Sequence, residues 1–232
     1  MKDSLQPVYS GAGSSLAFEQ RNRVLRNTYW LLAMSLVPTV LGAWVGVSTG
    51  LMMGKTAGWM GIVFLLGAFG FIFAIEKTKN SSAGVAVLLG FTFFMGVMLS
   101  GLLSRVLGSY SNGASLIMMA FGGTAGVFFA MASLATVIKR DLSSLAKFLF
   151  VGLVVLVVAS LINLFVQSSA MMLTLSVIAI GLFSAFVLVD VKRVIDGGET
   201  NYITATLSIY LDLYNIFQNL LMLLGFAAGD RR

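Results

Sequence analysis

Two aspartates stand where carboxylates are rare. Asp190 closes one long apolar run, and Asp212 lies nine residues inside the next. The other acids, Asp3, Glu19, Glu76, Asp141, Asp196, Glu199 and Asp230, fall in tails or between apolar runs. A carboxylate at bilayer depth is costly and normally faces a partner or a wet cavity. Thr204, Ser208, Asp212, Asn215 and Asn219 follow one another at spacings of 4, 4, 3 and 4. That spacing places them on one face of a helix. Apart from Thr206 and Gln218, the rest of this segment is built largely of Ile, Leu, Tyr, Phe and Met. Such a stripe is expected to face the bundle interior. There it lines water or an ion route, or bonds neighbouring helices as small polar residues often do.

Few other chemistries are open to the chain. It has no Cys and no His, which removes thiol nucleophiles, disulfides, Ser-His triads and histidine metal ligands. No catalytic set, metal cluster or cofactor site is expected. The loop Asp196–Asn201 reads as a turn followed by a helix start, and its Gly pair is too short for a phosphate loop.

The elements that must position these residues follow from composition. Of 232 residues, 58% are hydrophobic and 10% charged, against about 25% charged in a soluble domain. So few charges cannot cover a water-facing surface; the bilayer is the solvent that suits them. Seven apolar stretches are long enough to cross a core of about 30 Å. They are Thr28–Val47, Gly58–Ile75, Ser82–Leu103, Ala114–Ile138, Leu145–Phe165, Ala170–Asp190 and Ile203–Ala227. The fold class is therefore all-α integral membrane, with residues 1–26 a polar cytoplasmic tail and 27–232 a seven-helix domain. Pro38 is placed to kink the first span. Gly90, Gly96, Gly101, Gly122, Gly123, Gly126 and Gly152 are placed to let helices approach closely.

Orientation follows from Lys and Arg. Lys2, Arg21, Arg23, Arg26, Lys77, Lys79, Lys139, Arg140, Lys147, Lys192 and Arg193 fall on one side, and Lys55, Arg105, Arg231 and Arg232 on the other. The positive-inside bias puts the N-terminus in the cytoplasm and the C-terminus outside. The basic excess is thus a matter of topology. No basic stripe with interleaved aromatics points to nucleic acid.

The sixth and seventh spans run antiparallel through a short loop. Asp190 then lies roughly 8 Å from the end of its helix and Asp212 about 13 Å from the start of its own, both from the cytoplasmic side. Two carboxyls that meet there cannot both ionise cheaply and share a proton. Protonated, the pair holds helices together; doubly ionised, it repels and attracts cations. Alternatively Asp190 snorkels to the interface beside Lys192 or Arg193. Ser160, Asn163 and Gln167 share a face of the fifth span and either extend the seam or bond locally.

GGETNYITATLSIYLDLYNIFQNLLMLLGF, from Gly197 to Phe226, closely resembles the ending of bacterial members of the Bax inhibitor family. VLRNTYWLLAMSL in the first span, GFTFFMGVMLSGLL in the third and FGGTAGVFFAMASLATVIKRDLSSL across the fourth are similar as well. The resemblance implies seven helices with the last one central. It implies that Asp190 and Asp212 form a pH sensor for calcium leak, with a basic residue near the end of the second helix, Lys77, against the pair. The GGETNYI segment also resembles members that bind and restrain an FtsH-type membrane protease, with the polar N-terminal tail as contact handle.

The leading expectation is a pH-sensitive, calcium-permeable leak channel in the bacterial inner membrane. The alternative is a protease regulator. An intramembrane aspartyl protease is disfavoured, because Ile209-Tyr210-Leu211 precedes Asp212 where Gly-x-Gly is typical. A retinal-type pump is disfavoured because the seventh span holds no Lys.

Overall fold

The computed structural model describes residues 10–52 and 57–229. Seven helices account for nearly all of them: α1 Ser10–Thr49, α2 Ala57–Thr78, α3 Ser82–Ser109, α4 Gly113–Val137, α5 Ser143–Val166, α6 Ser169–Ile195 and α7 Tyr202–Gly229. Each is long and apolar enough to cross a membrane, and there is no strand among the described residues. Residues at the surface confirm the solvent that composition requires. Phe165 is 88% exposed and Phe148 and Val137 are 73% exposed. An apolar surface spread over every helix needs lipid around it.

The first helix departs from its expected limits. It begins at Ser10 and passes residue 26 without a break, so the part of the expected tail that is described continues the span as helix. Forty residues at about 1.5 Å each make roughly 60 Å, about twice the hydrocarbon thickness. Pro38 lies inside α1 and does not end it. Lys2, Lys55, Arg231 and Arg232, used for the charge bias, lie outside the described residues.

Helices α1 and α3 form the tightest pair. A Cβ built on Gly96 would stand 2.0 Å from the Thr39 carbonyl oxygen, and one on Gly42 2.1 Å from that of Phe93. Only hydrogen fits at either position, and the two backbones touch there. Gly152 likewise abuts Leu182, whereas Gly122 and Gly126 face open space and mediate no helix contact. Small residues were a fair signal of close packing, but the face on which they fall decides their use. Helix α7 packs against α1, α2, α3, α4 and α6, and α5 packs on α6 alone.

Candidate functional site

The site is assembled where α6 turns into α7. Helix α6 ends in a glycine motif: the Gly198 amide donates to the Arg193 carbonyl at 2.9 Å, and Gly197 takes φ +80°. Only the left-handed region closes the helix this way, and glycine adopts it without strain. Lys192 sits buried in the last turn and pairs with Asp196 at 2.6 Å. Asn201 caps α7, its Oδ1 accepting from the Ile203 amide at 2.9 Å and the Thr204 amide at 3.3 Å. Its Nδ2 donates to the Lys79 carbonyl at 2.8 Å and to Asn80 Oδ1 at 3.0 Å, fastening the α2–α3 loop to the start of α7. The turn and helix start read from Asp196–Asn201 are both present.

Within this frame Asp190 is half-buried and Asp212 is buried at 7% exposure. Asp190 lies within electrostatic reach of Asp212, and Arg193 and Glu199 are the charges that act on Asp190. Lys192 is committed to Asp196. The Asp212 Oδ2 atom is buried with no hydrogen-bond partner. An unpartnered buried carboxyl oxygen is rare, because leaving it unsatisfied costs more than a typical hydrogen bond returns.

The rest of the expected stripe is dispersed. Thr204 Oγ1 donates to the Asn201 carbonyl at 3.0 Å, Asn215 to Leu211 at 2.8 Å and Asn219 to Asn215 at 2.8 Å. All three bonds stay within α7 and its cap. Ser208 is exposed rather than inward-facing. Lys77 does not reach the carboxyls: it is exposed, with its Nζ 4.5 Å from the centre of the Phe73 ring one turn earlier. Four residues bring an exposed Lys back over its own helix, where an aromatic face receives it. Ser160, Asn163 and Gln167 do not extend the seam, since α5 meets only α6. Asn163 accepts from the Ser168 amide at 3.1 Å, and Gln167 ends α5 in the left-handed conformation.

A second polar stripe runs along α7. Thr206, Tyr210, Tyr214 and Gln218 recur every four residues, and the two tyrosines read as apolar in the sequence because their rings bury well. Tyr210 Oη donates to Thr39 Oγ1 on α1 at 2.9 Å, the Thr39 proton going to the Ser35 carbonyl, and stands 3.5 Å from the Thr92 carbonyl on α3. Tyr214 donates to the Met95 carbonyl at 3.2 Å and Gln218 to Tyr214 Oη at 3.3 Å, while the Thr206 hydroxyl bonds the Tyr202 carbonyl of its own helix at 2.6 Å and lies 3.3 Å from the Thr28 carbonyl of α1. The repeat of four was the available signal.

A cleft of about 560 Å³ opens between the start of α1 and the α6–α7 loop. Gln20, Arg21 and Arg23 line one wall, and Asp196, Glu199 and Thr200 the other. Arg21 bridges it, donating to the Ile195 carbonyl at 3.5 Å.

Comparison with known proteins places this arrangement. The family described as "Inhibitor of apoptosis-promoting Bax1" matches residues 21–229. The Escherichia coli K12 protein named modulator of FtsH protease YccA is 38% identical over 223 residues, covering 96% of this chain and 99% of that protein. A counterpart in a second E. coli strain, equally similar, is named an inner membrane protein. A Vibrio cholerae protein named only as an uncharacterised membrane protein is 37% identical, covering 94% of this chain and 96% of its own length. With seven spans and inner-membrane relatives, the chain is a multi-pass inner membrane protein.

Proposed function

We infer, from the premise that this chain belongs to the Bax inhibitor family, that it modulates an FtsH-type membrane protease by binding it in the inner membrane. The observation that carries this reading is the end-to-end likeness to the E. coli modulator. It acts by occupancy rather than by a reaction of its own. The N-terminus lies in the cytoplasm on this reading, and the long α1 carries its first turns out of the hydrocarbon core. Arg21 ties those turns to the α6–α7 loop, so a partner that grips them also touches the loop beside Asp190 and Asp212. The central helix in this account is α7.

The test is degradation of a known membrane substrate by the purified protease in proteoliposomes, with and without this chain. The full chain is expected to slow it. A chain lacking residues 1–20 is expected to restore it and to lose co-purification with the protease. Restraint that survives the deletion removes the tail as handle, and no restraint by the full chain removes the reading.

A second role is favoured by one atom, the unpartnered Asp212 Oδ2. A buried carboxylate seeks a proton, a water or a cation. Beside Asp190 it suits a pH-sensitive leak for calcium or a similar cation, with Asp190 and Asp212 as sensor. Thr204, Asn215 and Asn219 stand along the same face of α7. Calcium flux into dye-loaded proteoliposomes should depend on pH in the natural chain and lose that dependence in Asp212→Asn. An unaltered pH profile rules out the sensor.

A further inference from the structure

Helix α7 carries two polar stripes with different bonding. At about 100° per residue, the stripe Thr206, Tyr210, Tyr214, Gln218 and the stripe Thr204, Ser208, Asp212, Asn215, Asn219 are centred roughly 140° apart. They lie on opposite sides of the helix. The two tyrosines of the first stripe bond across to Thr39 of α1 and to the Thr92 and Met95 carbonyls of α3; Gln218 donates to Tyr214 Oη, and Thr206, bonded to the Tyr202 carbonyl of its own helix at 2.6 Å, stands 3.3 Å from the Thr28 carbonyl of α1. The second stripe makes no hydrogen bond to another helix among the described residues; its bonds return to α7 or its cap.

The helices that receive the first stripe are themselves locked. Thr39, the partner of Tyr210, also donates to the Ser35 carbonyl at 2.8 Å, and its own carbonyl is the atom that the missing Cβ of Gly96 would strike. Hydroxyl bonds and backbone contact thus fall at the same level of the bundle. Phe91 adds its ring, edge-on to Tyr210 at 6.2 Å between centres. The joint between α6 and α7 is different. Among the described residues its hydrogen bond between the two helices is the Ser176 hydroxyl on the Met222 thioether at 3.4 Å, a hydroxyl that also bonds the Met172 carbonyl of its own helix at 3.0 Å, and a thioether is a weak acceptor. In lipid, where apolar packing alone does not discriminate one neighbour from another, such bonds and close backbone contacts decide which helices stay together.

We propose that α1, α3 and α7 form one rigid body, welded by the Tyr210–Tyr214 stripe, and that Asp212 is uncovered by parting α6 from α7 on the opposite face. The tyrosine hydroxyls are positioning groups: they hold α7 in a fixed rotation, so that the carboxyl face stays turned toward α6 whether or not α6 is packed against it. This device serves a leak and a protease modulator alike.

The chain has no cysteine, so a single introduced thiol reports cleanly. Thr92→Cys and Ser176→Cys begin from nearly equal burial, 0% and 2% exposed. Thr92 contributes its carbonyl to the weld, which the substitution leaves in place. Labelling in proteoliposomes with a water-soluble maleimide is expected to be at least about tenfold faster at Ser176→Cys. Adding Tyr210→Phe and Tyr214→Phe, which delete only two hydroxyls, should speed labelling at Thr92→Cys about tenfold and leave Ser176→Cys unchanged. If the double variant aggregates in detergent, each single Tyr→Phe gives the same comparison with a smaller step. Equal labelling of the two thiols in the natural background overturns the proposal. So does a Thr92→Cys rate that ignores the loss of the hydroxyls. Neither flux nor proteolysis enters the readout, so the outcome is separate from the chain's cellular role.

Discussion

Replacing Asp212 with leucine removes a carboxyl oxygen that is buried and bonded to nothing. Burial without a partner destabilises a fold by about 1–3 kcal/mol, and an apolar side chain of similar size recovers it. Asp212→Leu is therefore expected to raise the thermal midpoint in detergent while removing any pH-dependent flux. A lower midpoint would mean that water or a cation satisfies the oxygen in solution. Asp141 presents the opposite case, outside the membrane spans. The Ser143 hydroxyl at 2.6 Å and amide at 2.9 Å both donate to it and hold its carboxyl below the ordinary value of 3.8. A carboxyl held low stabilises the folded state above its unfolded value and loses that contribution as pH falls through its folded one. The protection factor of the amides in the first turn of α5, which is the exchange rate corrected for its intrinsic pH dependence, should therefore fall as pH drops below about 4. The same measurement on Asp141→Ala should show no pH step.

At the scale of the elements, the α1–α3 contact has no slack. Gly96→Leu would drive a side chain into the Thr39 carbonyl and the Ala43 amide, both of them backbone. Neither can swing away, so the helices must separate and take the Tyr210–Thr39 bond with them. Overpacking of this kind costs about 1–3 kcal/mol or more. The expected result is a sharp loss of folded protein by size exclusion, while Gly122→Leu, at a glycine facing open space, leaves the yield unchanged. Both glycines look alike in a list of small residues on apolar spans. Their difference is the helix face on which each falls.

At the scale of the whole molecule, orientation rests on charge. With the N-terminus in the cytoplasm, the α2–α3 turn lies inside and the α3–α4 turn outside. Asn80→Cys and Asn112→Cys place single thiols at those turns. A membrane-impermeant maleimide added to intact cells stripped of their outer membrane should label Asn112→Cys and spare Asn80→Cys. The reverse pattern would invert the molecule and put the Arg21 cleft beyond the reach of a cytoplasmic partner.

Span number, approximate span limits, the loop that turns α6 into α7 and the two unusual aspartates were all legible in the chain. Each depends on local properties: hydropathy over some twenty residues, a glycine pair, an asparagine cap, a charge in an apolar run. The bonding of α7 was not. Tyr210 finds Thr39 and Thr92, and Tyr214 finds Met95, across separations of 171, 118 and 119 residues. Lys77 folds back on Phe73 instead of reaching the carboxyls, and α5 never meets α7. A helix's periodicity states which residues share a face, but the neighbour that covers the face is chosen by the rotation and depth at which distant helices lock. Those are set by backbone contacts such as Gly96 on Thr39, and only the packed bundle contains them.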